Sequence, residues 1–392
     1  MENGFDIANL SDGDVSSAEA AGLSAALLDL SGSFESKVTD ADDWDELTVE
    51  QLLDTPLWTR ELEVAHFETL ALFESFVLKC QNILQKELSE HHYDTFTSLF
   101  QFYSDYRKSG LPLIHFVSAY NKDISKLGLS CVGLSLSLIK KLRHAFQSLI
   151  PLRSAALVSC EEVVKDYGSY SIESPNAVKE HVLVAMRICI SGTRFGYLLF
   201  DPGYHVARPV VILNDEQYPH SGWFTQSQTC TVKKEYNYQL IDERFVSWNV
   251  KETRKGVANQ WSNLIYVQRA FGKCITITQK RALFYSFKSL VVRDRKGPIA
   301  GIYCWMKSNA VTIFYPDSDS RKQQVKLSIT AIGTEEMSTH LRKLAKHFAK
   351  GMSYDVALGY LEGTLHGLRA VLADKEFVED LLELDDWVEE EA

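Results

Sequence analysis

The apolar residues of this chain change period near Lys179, from every third or fourth position to every second, and that switch limits the fold more than any other feature. Before it, Phe67, Leu70, Leu72, Phe73, Phe76 and Val77 recur at helical spacing, as do Phe96, Leu99, Phe100 and Phe102. Leu134, Leu138, Ile139 and Leu142 give a later helix a buried face, with breaks at Pro112, Gly128 and Pro151. After it, His181 to Ile188 reads as a strand, Gly192 takes a turn position, and Arg194 to Phe200 runs into Asp201-Pro202-Gly203. That is a hairpin signature. Further strands are expected over Arg208–Leu213, Tyr236–Leu240, Phe245–Val250, Ala282–Arg293, Ile299–Met306 and Val311–Tyr315, with Gly297-Pro298 as a turn. Helical character returns from Thr334 to about Ala373. Helices, then a long β block, then a mixed end predict an α+β protein and not a doubly wound parallel sheet.

The chain is long enough for two or three domains. Residues 1–48 read as a disordered acidic leader, rich in Ser, Ala, Asp and Glu, with Lys37 as its one basic side chain. A helical domain is expected over 49–160, a β domain over 161–280 and a C-terminal α/β domain over 281–374, followed by an acidic tail over 375–392. The net charge of −11 argues against a nonspecific nucleic-acid binder, which needs basic surface to displace counterions. The start, Met1-Glu2-Asn3-Gly4, lacks the basic and apolar regions of a secretory signal, and no run is apolar for long enough to span a bilayer. Seven scattered cysteines without a Cys-x-x-Cys pair suit a reducing compartment, so a cytoplasmic location is expected and metal binding through cysteine is not.

One constellation stands out from this background. Cys131 opens an apolar helix, His181 begins a strand, and Asp201 ends the strand that follows. A helix start, with its free N–H groups and positive dipole end, favours a thiolate, and a nearby imidazolium favours it further. An aspartate beside the imidazole would fix its tautomer and stabilise its charge. A hairpin returns His181 and Asp201 to one end of the sheet, and Cys131 must arrive from the helical region. Singly, each residue has a plainer account: Cys131 as a core thiol, His181 as a hydrated strand end, Asp201 as turn chemistry. In this order they make a candidate cysteine acyl-transfer or hydrolytic site.

The same residues resemble the arylamine N-acetyltransferases, within the wider transglutaminase-like and papain-like group. Leu129-Ser130-Cys131-Val132-Gly133-Leu134-Ser135 resembles the family's helix-start cysteine, His181-Val182-Leu183-Val184 its strand histidine, and Asp201-Pro202-Gly203-Tyr204 its aspartate turn. More weakly, Tyr236–Leu240 and Trp261–Tyr266 resemble its barrel strands and following helical turn, and Ala282 to Tyr303 its third domain. Where the family has Arg-Gly-Gly, this chain has Lys126-Leu127-Gly128-Leu129-Ser130, and its intervals between the three residues are longer. The resemblance implies an N-terminal helical bundle, a central antiparallel β-barrel and a C-terminal α/β lid. It implies Cys131 as nucleophile, His181 as proton carrier and Asp201 as its orienting group. Acetyl-coenzyme A or another acyl-coenzyme A would be the co-substrate, and a small-molecule amine or related group the acceptor.

Three further features bear on function. His205, His220 and Tyr218 lie near Asp201, yet no His-x-His or His-Glu-x-x-His spacing accompanies them, so no metal is assigned. No glycine-rich nucleotide motif occurs, and Ser135 and Ser137 sit inside a helix, away from any nucleophile elbow. Asp42-Asp43-Trp44 near one end and Asp385-Asp386-Trp387 near the other repeat a short acidic motif that suits docking to a protein partner. The alternative to an acyltransferase is therefore a noncatalytic interaction protein of the same fold. A protease or transglutaminase activity would share the same triad.

Overall fold

The computed structural model describes residues 58–121, 129–147, 151, 154–161, 181–228, 231–272, 280–319, 321–348 and 352–391. The expected leader, Trp44, Lys126 to Gly128, Cys230 and Cys274 lie outside these residues. The chain is mixed α+β, with eight α-helices among the described residues.

The largest sheet has nine strands: β2 (Val64–Phe67), β4 (Ala155–Glu161), β5 (His181–Ile190), β6 (Arg194–Asp201), β7 (Val206–Leu213), β8 (Phe224–Gln228), β9 (Val232–Leu240), β10 (Phe245–Arg254) and β11 (Val257–Tyr266). Its order is β7-β6-β5-β4-β11-β10-β9-β8, antiparallel throughout, and it curls until β7 meets β9 and the sheet is nearly closed. β2 is the exception in direction, lying parallel to β5 along Arg187 to Ile190, where β4 has ended. Two short strands, β1 (Trp58–Glu61) and β12 (Arg269–Phe271), pair separately. The third sheet runs β16-β15-β14-β13-β3, with β3 (Tyr93–Asp94), β13 (Phe287–Arg293), β14 (Pro298–Trp305), β15 (Ala310–Pro316) and β16 (Lys322–Ser328).

β5 is buried along nearly all of its length because both of its faces are covered. Val182, Val184, Met186, Ile188 and Ile190 pack against the helices α1 (Leu70–Glu90) and α4 (Cys131–Phe146). Leu183 and Ala185 point the other way, into the interior of the curled sheet beside Tyr236, Tyr238 and Trp248. The period-2 alternation of a strand sorts these residues to the two faces. Glu87 of α1 is buried and pairs with Lys141 of α4 at 2.7 Å, which ties the two helices together.

The helices of the expected 49–160 domain do not form a bundle of their own. α1 and α4 cover the large sheet, whereas α2 (Phe96–Ser109) and α3 (Leu113–Ala119) join the C-terminal half. There they pack with α5 (Arg281–Phe284) and α8 (Lys375–Glu391), while Phe96 also meets the third sheet and the helices α6 (Glu335–Phe348) and α7 (Tyr354–Ala373). An apolar stripe announces that a helix face is buried and carries no record of its partner.

Smaller differences follow from similar causes. Phe67, assigned by spacing to a helix, ends β2, and α1 begins after the N-cap Thr69. Ala282 to Phe284, expected in a strand, form the short α5, and only Phe287 onward is β13. Tyr236–Leu240 and Trp261–Tyr266, which the resemblance casts as strands and a following helical turn, are both strand, in β9 and β11. The stretch 375–392, expected as a tail, contains α8, whose Phe377, Leu381, Leu384 and Val388 are buried.

Candidate active site

Cys131 is the first residue of α4, preceded by Ser130, whose carbonyl accepts the first helical hydrogen bond from Leu134 N at 3.0 Å. Cys131 therefore belongs to the first turn, whose N–H groups have no partner within the helix. The approach to the helix is fixed from the other half of the molecule, since Asp94 N of β3 donates to Leu129 O at 3.2 Å. Asp94 itself is buried and satisfied: it caps α2 through Phe96 N at 2.7 Å and accepts from Tyr360 Oη at 2.8 Å.

His181 begins β5 and Asp201 ends β6, and the hairpin brings them together: His181 Nε2 lies 3.0 Å from Asp201 Oδ2. The pair is close as an ion pair, although the ring N–H is not aimed along the contact. The Cys131 sulfur is near enough to the same imidazole to favour its charged form. The other Asp201 oxygen, Oδ1, accepts from Tyr204 N at 2.9 Å and closes the turn.

Gly203 marks the point of convergence. A Cβ built on it would lie 2.7 Å from His181 Cε1, 2.9 Å from Cys131 Cβ and 3.4 Å from Asp201 Oδ1. One backbone position is thus in contact with all three residues, and only a residue without a side chain fits there. The Asp201-Pro202-Gly203 sequence signalled a turn; nothing in it signalled that the glycine packs against sulfur and imidazole.

Burial acts on this cluster strongly. His181 and Asp201 are each 4% exposed. Burial alone would push the imidazole down, but the Asp201 carboxylate and the Cys131 sulfur outweigh it and hold His181 up at about 10. Cys131 keeps 9% of its surface exposed, while Cys80 and Cys160 have none and Cys189 and Cys304 have 1%. Burial pushes the Cys80 and Cys304 thiols up, the latter to about 12. Among the described cysteines, Cys131 combines the most exposure with an imidazole partner.

Aromatic rings border the site. The Tyr204 ring stands 4.2 Å from the imidazole between centroids and remains 38% exposed, and Trp248 lies 5.4 Å from Tyr204 and 6.5 Å from His181. Tyr238 stacks on Trp248 from the barrel interior. On the far side of the turn, the buried Arg293 of β13 donates from Nη1 to Pro202 O and to Gly203 O. Tyr204 belongs to the Asp201-Pro202-Gly203-Tyr204 stretch, whereas Arg293 and Trp248 carried no sequence signal, because both reach the site from distant elements.

The histidines weighed for a metal do other things. His220 Nδ1 accepts from Leu213 N at 3.2 Å, and burial and the nearby Arg293 push His205 down to about 4. Among the described residues no group of three or more His, Cys, Asp or Glu gathers as a metal ion would require. No described helix is long and apolar enough to cross a membrane. Compared with known proteins, the chain matches no family model, no curated protein and no solved structure.

Proposed function

We propose that the protein is a cysteine acyltransferase of the arylamine N-acetyltransferase kind, with Cys131 as nucleophile, His181 as proton carrier and Asp201 as its orienting group. The observation that carries this reading is the meeting of the three side chains around Gly203, from a helix start, a strand start and a strand end. Cysteine, imidazole and carboxylate packed in that order form a relay for nucleophilic catalysis.

In the first half of the reaction, Sγ attacks the carbonyl carbon of an acyl thioester and the C–S bond to the coenzyme breaks. His181 delivers a proton to the departing thiolate. In the second half, an amine or related acceptor attacks the Cys131 thioester, His181 takes the proton it loses, and Sγ leaves as thiolate. The N–H groups at the start of α4 would serve as donors to the oxyanion in both steps. Acetyl-coenzyme A or another acyl-coenzyme A serves as donor in this reading. The five free cysteines among the described residues suit a cytoplasmic location.

Intact mass spectrometry after brief mixing with acetyl-, propionyl- and longer acyl-coenzyme A tests the proposal. The wild type is expected to gain one acyl group on Cys131, and Cys131→Ala none. A gain that survives in Cys131→Ala, or no gain with any donor, overturns it. A noncatalytic role as a docking protein is favoured by one observation, the 45% exposure of Trp387 on the firmly packed α8. A Cys131 no more reactive than Cys80 would select that role instead.

A further inference from the structure

Arg293 is a buried cation with an unusual set of contacts. It is 2% exposed, and among the described residues no carboxylate lies within ion-pair distance of it. Its Nη1 donates to the carbonyls of Pro202 and Gly203, its Nε and Nη2 have no hydrogen-bond partner among the described residues, and its guanidinium lies 5.7 Å over the Tyr93 ring. Burying a guanidinium with N–H groups unpaired is unfavourable, and an apolar side chain of similar size would pack at less cost. A role in packing alone does not account for this residue.

Its position supplies a reason. Arg293 ends β13, whose Leu290 and Val292 belong to the core under the third sheet, whereas Pro202 and Gly203 lie in the turn that joins β6 to β7 of the large sheet. The two carbonyls it grips lie in the turn that carries Asp201 at one end and touches Cys131 and His181 at Gly203. Tyr93, under the guanidinium, is on β3, whose Asp94 N holds the residue two before Cys131. Through β3 and β13, which pair at Val291 and Tyr93, one edge of the third sheet grips both the start of the nucleophile's helix and the aspartate's turn.

We propose that Arg293 is a positioning residue for the triad: from the third sheet it holds the Pro202 and Gly203 carbonyls, and so keeps Asp201 on the imidazole and Gly203 against the sulfur. The proposal rests on the acyltransferase reading of the same site. Loss of the grip lets the turn relax, Asp201 withdraws from His181, and burial then drives the imidazole down. Cys131 should therefore lose the imidazolium that favours its thiolate and react only at higher pH, an effect that mere loosening between the two cores does not produce.

The experiment measures alkylation of Cys131 by iodoacetamide against pH, by peptide mass spectrometry, in the full chain and in Arg293→Met and Arg293→Lys, with circular dichroism and melting alongside. Arg293→Met, folded, is expected to lose about tenfold or more in rate near neutral pH, as misplaced catalytic groups do, and its profile should shift to higher pH because a neutral imidazole no longer favours the thiolate. Arg293→Lys, whose ammonium sits on a shorter stem and reaches the two carbonyls less closely, should fall between Met and wild type and show the same direction of shift. Profiles of the folded variants that overlay the wild type overturn the proposal while leaving the triad reading intact. Should Arg293→Met fail to fold, the Lys variant decides alone, and an unchanged profile there is enough to reject it. A wild-type Cys131 that reacts no faster than Cys80 defeats the underlying acyltransferase reading instead.

Discussion

Gly203 and Cys131 are packed so closely that a Cβ on the glycine would come within 2.9 Å of the Cys131 Cβ, while also lying 2.7 Å from the His181 ring. Backbone and side chain share this space because α4 presents its first residue directly to the β6–β7 turn. Any larger residue at 203 must push the turn, the imidazole or the helix start.

Gly203→Ala is accordingly expected to abolish acyl transfer to Cys131 while costing only about 1–3 kcal/mol of stability, the usual range for overpacking. The check is paired: a denaturant melt, and the mass gain with an acyl-coenzyme A. Full transfer in the alanine variant would mean that the cluster is loose enough to absorb a methyl group, which contradicts the packing described here.

The His181–Asp201 pair leads to a pH prediction with a definite sign. His181 is held at about 10 in the folded chain, above the roughly 6.5 of an unfolded histidine, so its stabilising contribution is complete below the unfolded value and is lost as pH rises through about 10. The difference in stability between wild type and His181→Ala should thus be largest near pH 6 and shrink steadily toward pH 10, about the limits of that window. Denaturant melts at a series of pH values measure it. A difference that grows with pH would show that the imidazole is buried neutral.

Asp201→Asn isolates the carboxylate. With its charge removed, burial becomes the dominant influence on the ring, and His181 should titrate well below its wild-type position. Proton NMR of the imidazole Cε1–H follows the titration directly. An unmoved midpoint would mean that Cys131 alone holds the imidazolium, and that Asp201 serves only to close its turn through Tyr204 N.

Much of this arrangement was readable along the chain, for reasons that can be located. The His181 strand, the Gly192 turn and the Asp201 strand end are local in sequence, and antiparallel pairing of Val184 with Phe200 follows from the short connection. The change of hydrophobic period gave the α+β class because local geometry writes that period. The partner of each helix was not readable. α2 has as clear a stripe as α1, yet its Leu99 and Phe102 meet Phe284 and Phe377, residues far along the chain. The same gap hid Arg293, which looks in sequence like the charged end of any strand, and Lys288, whose full burial pushes it down to about 8. Contacts set by tertiary packing leave no periodic trace.

The second copy of the acidic motif gives the last prediction, because the structure divides its residues between two environments. Asp385 of α8 is buried and accepts from Arg281 Nε at 2.9 Å and from Ser286 N at 3.0 Å, with Leu384 and Val388 buried on the same side. Asp386 and Trp387 face outward, Asp386 reaching Lys307 at 2.6 Å on the surface. Removing one member of a buried ion pair typically costs about 3–5 kcal/mol, because the other is left charged and uncompensated. Exposed substitutions usually stay within about 0.5 kcal/mol. Asp385→Ala should therefore lower the melting temperature sharply, whereas Asp386→Ala and Trp387→Ala should leave it nearly unchanged. Differential scanning calorimetry of the three variants reads this contrast. Equal melting of all three would place α8 outside the folded unit, while a large loss in Trp387→Ala would mean that its ring is covered by the protein's own surface in solution.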